Sequence, residues 1–377
     1  MQKKIKKIKI VFTGGGTIGH LGPILAIKEE LEALDKNQQL SFYYIGPKDE
    51  YTKKLFENQN IVIKEIITGK IRRYFSFANF LDIFKIPIGI LQSFWYLFIL
   101  FPDLVFSKGG YGSFPVAFAA RILHIPIFLH ESDAISGLAN KIEGKWAIEI
   151  FTSFEKTEKL PQEKIICVGN PIRKELLVKE EKGLEKVFGF SKERPLILIL
   201  GGSQGSERIN NTILEVIEEF CKEFEIIHQT GQNNYNKVRL EAEVVLPKDL
   251  KTHYHPYPFL NVEQLREALK NADLVVSRAG SGAIFEIAAF GKPSILIPLA
   301  GSAQNHQLKN AILYEKYKGA EVLTEENLKP YFLLEKIRHL ISSPQLLESM
   351  GQNALSFAKP EAAKIIASYI YDYLTFF

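Results

Sequence analysis

The chain has 377 residues, 46% hydrophobic and 24% charged, with a formal net charge of +4. That length and composition allow two domains with real cores and exclude extensive disorder. The two cysteines, Cys167 and Cys221, exclude a disulfide framework and a cysteine-rich metal centre, and fit a reducing compartment.

The basic residues cluster at Lys3, Lys4, Lys6, Lys7 and Lys9, and again at Lys70, Arg72 and Arg73. Without a basic helix bearing base-reading residues, or zinc-finger spacing, these clusters read as solvated surface and no nucleic-acid partner is expected. The Gln2–Lys9 run leads directly into a strand, without the pattern of a signal peptide.

In chain order, strands are expected at Ile8–Phe12, Phe42–Ile45, Ile61–Ile66, Leu104–Phe106, Ile125–Leu129, Ile148–Phe151 and Ile165–Val168. Helices fall between them, as at Pro23–Ala33 and Phe114–Leu123. From Ile86 to Pro102 no residue is charged, but the run is shorter than the about 20 apolar residues a spanning helix needs. It reads as a helix partly buried in the core, with Phe94, Trp95, Tyr96 and Phe98 able to leave an apolar membrane-surface patch outside.

Gly169-Asn170-Pro171 interrupts this alternation, and a domain boundary is expected near Gly169–Arg173, dividing 1–172 from 173–359. Strands then recur at Leu196–Leu200, Ile226–His228, Leu274–Val276, Ile295–Ile297 and Glu321–Leu323. Helices are expected near Arg208–Phe220, Val262–Asn271, Ile284–Phe290 and Gln304–Tyr317. A last helix, Pro360–Thr375, has Ile365, Ile366, Ile370 and Leu374 at helical spacing, so that residues 360–377 can pack back on the first domain. Strands alternating with helices predict an α/β protein: two Rossmann-like parallel-sheet domains facing a cleft.

Glycine turns carry the chemistry. Gly14-Gly15-Gly16-Thr17-Ile18-Gly19-His20 follows the first strand, and Gly201-Gly202-Ser203-Gln204-Gly205-Ser206 follows Leu196–Leu200. Each can aim bare N–H groups and a helix start at an anion or a sugar. Gly14, Gly16 and Gly19 satisfy G-x-G-x-x-G, but the second strand ends Tyr44-Ile45-Gly46-Pro47, without the acid that would hold an NAD ribose. No P-loop is present. Ser277-Arg278-Ala279-Gly280-Ser281-Gly282 opens another helix, suited to a diphosphate, with Glu286 placed for ribose hydroxyls. Asn305-His306-Gln307 with Asn310 suits sugar hydroxyls, and Arg173 a base or phosphate. With no D-x-D motif and no cluster of His and carboxylates, neither a metal nor any other cofactor is expected.

Together the segments GGGTIGHLGP (14–23), TGKIRRYFS (68–76), FSKGGYGSFP (106–115), LHESDAISGLANK (129–141), VGNPIR (168–173), LGGSQGS (200–206), SRAGSGAIFEIAAFGKP (277–293) and QNHQLKNA (304–311) resemble, in order and over nearly the full length, the peptidoglycan N-acetylglucosaminyltransferases of glycosyltransferase family 28. The resemblance implies a GT-B fold and an inverting enzyme that moves N-acetylglucosamine from UDP-GlcNAc to the C4 hydroxyl of undecaprenyl-diphospho-N-acetylmuramoyl-pentapeptide, converting lipid I to lipid II. It implies a first domain for the lipid acceptor, a second for the nucleotide sugar, and peripheral attachment to the cytoplasmic membrane face.

For the donor the resemblance implies Thr17, Ile18, Gly19, Asp133, Arg173, Ser203, Phe259, Leu260, Gly280, Ser281, Gly282, Ala283, Glu286, His306 and Gln307. For the acceptor it implies Gly15, Gly16, Gly109, Gly110, Tyr111 and Asn140, with Thr17, Gly19, His20 and Glu131 on the same side. His20 is the first candidate base, followed by Glu131 and Asp133. Ile90, Phe94, Trp95 and Phe98 fall where the family docks on anionic lipid. Two positions depart from the family pattern: Ile18 replaces a glycine and Asp133 an asparagine. A β-branched residue disfavours positive φ, and a carboxylate repels a diphosphate. The other readings are a second GT-B UDP-sugar enzyme, whether a glycolipid glycosyltransferase or a UDP-GlcNAc 2-epimerase, an NAD-dependent oxidoreductase, and a non-catalytic carrier.

Overall fold

A computed structural model describes residues 7–15, 18–69, 77–180 and 182–376. Gly16 and Thr17, the basic residues Lys3, Lys4, Lys6, Lys70, Arg72 and Arg73, and most of the TGKIRRYFS segment lie outside them. The chain divides into two compact units, Met1–Arg173 with Pro360–Phe377, and Lys174–Lys359.

In the first unit β1 (Ile8–Thr13), α1 (Ile18–Leu34), β2 (Leu40–Pro47), α2 (Glu50–Phe56), β3 (Ile61–Ile66), α3 (Phe77–Leu100), β4 (Leu104–Ser107), α4 (Phe114–Ile122), β5 (Ile127–Glu131), α5 (Leu138–Trp146), β6 (Glu149–Thr152) and β7 (Ile165–Cys167) follow one another. The second unit runs α6 (Leu184–Phe188), β8 (Leu196–Leu200), α7 (Glu207–Leu214), α8 (Ile217–Glu223), β9 (Glu225–Gln229), α9 (Tyr235–Val245), β10 (Tyr254–Tyr257), α10 (Val262–Asn271), β11 (Leu274–Ser277), α11 (Ser281–Ala289), β12 (Ser294–Leu296), α12 (His306–Glu315), β13 (Ala320–Val322), α13 (Pro330–Ile341) and α14 (Pro344–Phe357). The chain ends in α15 (Ala362–Phe376).

Both sheets are parallel throughout, in the orders β3-β2-β1-β4-β5-β6-β7 and β10-β9-β8-β11-β12-β13. A parallel sheet is covered on both faces, so its central strands carry apolar side chains toward both of them. In β8, Ile197 and Ile199 pack with Ile213 and Phe220, while Leu196, Leu198 and Leu200 pack with Leu269 and Ile287. In β1, Ile10 and Phe12 face one cluster and Val11 the other. The order in which strands are added reverses between β1 and β4, and again between β8 and β11. The carboxyl ends flanking such a switch point are where open α/β sheets receive ligands.

The helix expected over Arg208–Phe220 is interrupted. It breaks at β-branched Val216, whose φ of −130° leaves the helical region, and α8 resumes at Ile217. β10 carries Pro256, which hid it from the sequence reading; its place at the sheet edge is where a residue without an N–H is tolerated. The apolar run expected from Ile86 belongs to the longer α3, with Pro87 inside it. The expected helix at Gln304 starts later: Gln304 and Asn305 have φ of 58° and 53°, and α12 begins at His306.

Candidate active site

In the first unit the glycine turns after β1 and β4 meet at the switch point. Gly15 N–H donates to Gly109 O at 3.0 Å, and Lys108 N–H donates to Thr13 O at 2.8 Å. Gly109 and Gly110 have φ of +80° and +92°. A Cβ on Gly109 would lie 2.0 Å from Asn140 Oδ1, so the turn admits only glycine there. Gly110 N–H donates to that Oδ1 at 3.2 Å, and Asn140 Nδ2 donates to Glu131 Oε2 at 2.8 Å. Buried Tyr44 donates its phenol to Gly14 O at 3.2 Å.

Ile18, Gly19 and His20 are the first residues of α1. Ile18 therefore has helical backbone, which a β-branched residue accepts, and the substitution for glycine needs no left-handed φ. The half-buried His20 ring lies against both turns: a Cβ on Gly15 would be 3.2 Å from Nδ1, and one on Gly110 3.2 Å from Nε2. Half-buried Tyr111 lines a cavity of about 580 Å³ with Lys48, Glu65, Thr68, Asp82 and Lys85.

A buried polar cluster supports these turns. Glu131 is 4% exposed, and its Oε1 accepts from Asp133 N–H at 2.9 Å. Burial first, and the Asp133 charge second, push its pKa up to about 7. Half-buried Asp133 is the more open of the two carboxylates. Glu143 is fully buried and accepts from Ser107 Oγ at 2.5 Å and Ser113 Oγ at 2.6 Å. His130 meets Gly169 O at 3.0 Å; burial, then the Lys108 charge, hold its pKa well below the ordinary value, so it is neutral.

In the second unit the turns after β8 and β11 again flank the switch point. Gly202 and Gly205 have φ of +86° and +77°, and a Cβ on Gly205 would fall 2.1 Å from Thr230 O. Ser206 caps α7, accepting from Ile209 N–H at 3.3 Å. It also accepts from Arg278 Nη2 at 2.6 Å, which ties the two turns together. Arg278 pairs with Glu325 at 2.5 Å and donates to Ile297 O at 3.2 Å. Gln229 donates to Gly202 O at 3.0 Å and accepts from Leu260 N–H at 3.1 Å.

Ser203 is exposed and Phe259 is 40% exposed, whereas Leu260, at 2%, packs into the core beside it. Gly280 precedes α11; Ser281, Gly282 and Ala283 form its first turn, and half-buried Glu286 follows within two turns of its start. Ser281 Oγ is buried without a hydrogen-bond partner, at a helix start whose free N–H groups favour an anion. His306 is half-buried at the start of α12, and Gln307 Oε1 accepts from Leu299 N–H at 2.9 Å. Arg173, half-buried, closes the first unit rather than opening the second. Among the described residues no group of His, Cys, Asp and Glu could hold a metal.

The sequence reading gave no role of their own to four residues that shape these turns: Lys108, Glu143, Gln229 and the ion-paired Arg278. The available signal was a charged or amide residue at the carboxyl end of a buried strand (Lys108, Gln229 and Arg278 all stand there), a position where an apolar residue would otherwise be expected.

Family models match both units: the glycosyltransferase family 28 N-terminal domain over residues 10–152 and its C-terminal domain over residues 196–366. A curated UDP-N-acetylglucosamine–N-acetylmuramyl-(pentapeptide) pyrophosphoryl-undecaprenol N-acetylglucosamine transferase of Treponema denticola is 37% identical, covering 97% of this chain and 98% of its own. A similarly named transferase of Bacillus cereus is 38% identical over 90% of this chain and 94% of its own. Among solved structures, Acinetobacter baumannii MurG superposes with a TM-score of 0.72 at 24% identity, covering 97% of this chain and 99% of that one. A UDP-GlcNAc 2-epimerase from Neisseria meningitidis, bound to UDP-GlcNAc, gives 0.67 at 17% identity, with 97% and 100% covered. At these identities the structures show the shared fold alone.

Proposed function

The chain belongs to glycosyltransferase family 28, and on that premise we propose that it moves N-acetylglucosamine from UDP-GlcNAc to the C4 hydroxyl of undecaprenyl-diphospho-N-acetylmuramoyl-pentapeptide, forming lipid II from lipid I with inversion. The observation that carries this reading is the near full-length similarity to curated transferases of that substrate pair. The local chemistry supports it. The second unit takes the donor: the start of α11, with its free N–H groups and the buried Ser281 hydroxyl, receives the diphosphate, and Glu286 the ribose. Gly280, Gly282 and Ala283 leave room for close approach, with Ser203, Phe259, His306 and Gln307 around the rest of the nucleotide sugar.

The first unit takes the acceptor at Gly15, Gly109, Gly110 and Tyr111. His20 accepts the proton of the C4 hydroxyl as its oxygen bonds to the anomeric carbon. The bond from that carbon to the β-phosphate breaks on the opposite face, and its electron pair leaves with UDP. Donors fixed at a helix start stabilise that departing charge, each worth roughly 2.7–4 kcal/mol where they act like an oxyanion hole. Glu131, the base ranked after His20, has one oxygen held by Asn140 and the other by the Asp133 N–H and fixes the turn, which leaves half-buried Asp133, ranked third, as the more accessible alternative to His20.

Among the described residues no helix is long and apolar enough to cross a membrane. Peripheral attachment at the cytoplasmic face through the exposed side of α3 fits an acceptor carried on a lipid. The test is UDP release from UDP-GlcNAc with and without a lipid I analogue. Release should require the acceptor, and His20→Ala should lower kcat by about 10²–10⁴-fold with little change in the UDP-GlcNAc KM. Acceptor-independent release, or formation of an epimer, would instead favour the epimerase reading.

A further inference from the structure

Lys108 stands at the carboxyl end of β4, is 2% exposed, and takes no proton or substrate group in the transfer. A buried ammonium is costly unless charge and hydrogen bonds compensate it. Here its Nζ donates to Ser132 Oγ, and that hydroxyl donates on to Asn170 Oδ1 at 3.2 Å. Burial lowers the Lys108 pKa to about 8, and the charges of Glu131 and Asp133, which flank Ser132 in the chain, oppose that shift. The other ionisable groups around it are neutral His130 from β5, Glu143 from α5 beyond Glu131, and His20 from α1. The Lys108 stem lies directly under the first glycine turn, since a Cβ on Gly14 would be 3.3 Å from Lys108 Cβ.

We propose that Lys108 is a positioning residue for the transfer: its buried ammonium, hydrogen-bonded to Ser132 between Glu131 and Asp133, offsets the two carboxylates, so that the acceptor turns hold their shape and the base cluster takes up protons only at lower pH than it would without the cation. The proposal rests on the transferase reading above. Two neighbouring carboxylates without a cation repel each other until one takes up a proton. Burial and Asp133 already push Glu131 up to about 7, with Lys108 among the groups opposing them. A protonated Glu131 has a weaker hold on Asn140, and through it on Gly110. The family departure at Asp133 has the same account, because Lys108 supplies the charge that offsets the added carboxylate.

Removing a nearby cation raises the pKa of a carboxylic acid and of an imidazolium alike. The acid limb of the rate profile therefore moves up whether His20 or Asp133 takes the proton. Acceptor-dependent UDP release is measured from pH 5.5 to 9.5 for the full chain and for Lys108→Met, Lys108→Arg and Ser132→Ala. Lys108→Met should move the acid limb of kcat upward by about one pH unit and cost about tenfold near its foot. The UDP-GlcNAc KM should change less than about twofold, Ser132→Ala should shift the limb the same way by less, and Lys108→Arg should restore it. An unmoved limb in Lys108→Met, including a uniform loss at every pH, overturns the proposal. Should that variant not fold, an unmoved limb in Ser132→Ala overturns it. A wild-type chain without acceptor-dependent release would fail the transferase reading itself, a distinct result.

Discussion

Glu143 shows how a single buried group couples this fold to pH. Burial pushes its pKa from 4.5 up to about 7, against the pull of the Ser107 and Ser113 hydroxyls. The folded chain thus keeps a proton on Glu143 that the unfolded chain releases. Its contribution to stability is complete below about pH 4.5 and is lost as pH rises through about 7. Glu143→Gln, of the same shape and without the proton, removes that dependence while both hydroxyls keep a partner. Urea unfolding at pH 5 and pH 8 should show the wild type losing more stability than the variant, by an amount on the order of 1–3 kcal/mol. Equal losses would mean that Glu143 is ionised throughout. Neither this residue nor Lys108 was legible in the sequence. Read locally, a lysine or a glutamate looks like surface, and the contacts that bury Glu143 reach 36 and 30 residues along the chain. The glycine turns were legible because close backbone approach and left-handed φ leave few other choices.

At the scale of the element, α3 separates two roles that its sequence runs together. Phe84, Ile88, Leu91, Trp95 and Phe98 recur at helical spacing, and Leu91 and Trp95 are 70% and 62% exposed. The opposite side is seated: a Cβ on Gly89 would be 2.1 Å from Ile67 O, Ser93 and Leu97 are fully buried, and Gln92 accepts from Ile67 N–H at 2.7 Å. Ile90 and Phe94, expected in the patch, are half-buried, and Phe94 packs against the core cluster and stacks on Phe98. With no charge in the run, the sequence offered no polar marker for the outer face; the spacing of Gly89 and Ser93, four apart, was the usable sign of the inner one. Burying one such side chain is worth about 1.5–3 kcal/mol, so Leu91→Ser with Trp95→Ser should weaken co-sedimentation with anionic vesicles by tenfold or more, at unchanged thermal stability. Phe94→Ser should lower stability instead. Undiminished vesicle binding by the folded double variant would remove this face from the membrane.

At the scale of the molecule, both chain ends belong to one unit, with residues 174–359 inserted between its two parts. That unit is complete only with α15, whose Ile366, Ala367 and Ile370 are fully buried in the cluster that holds Ile10, Phe12, Leu21 and Leu31. The inserted unit has its own clusters, built on both faces of β8. The architecture thus ties the C-terminal residues to the first unit and leaves the second with a core of its own. Ile370→Ala removes buried methylenes at a cost of about 2–5 kcal/mol. For a unit of this size that lowers its melting temperature by roughly 5–15 °C. Calorimetry of the full chain should resolve two transitions, with the variant shifting only one of them. Saturating UDP should raise the other, by about 2.7 kcal/mol at a hundredfold excess over Kd, because a ligand stabilises only the unit that binds it. If UDP raised the same transition that Ile370→Ala lowers, the donor would belong to the first unit, and the assignment of substrates to units would be reversed.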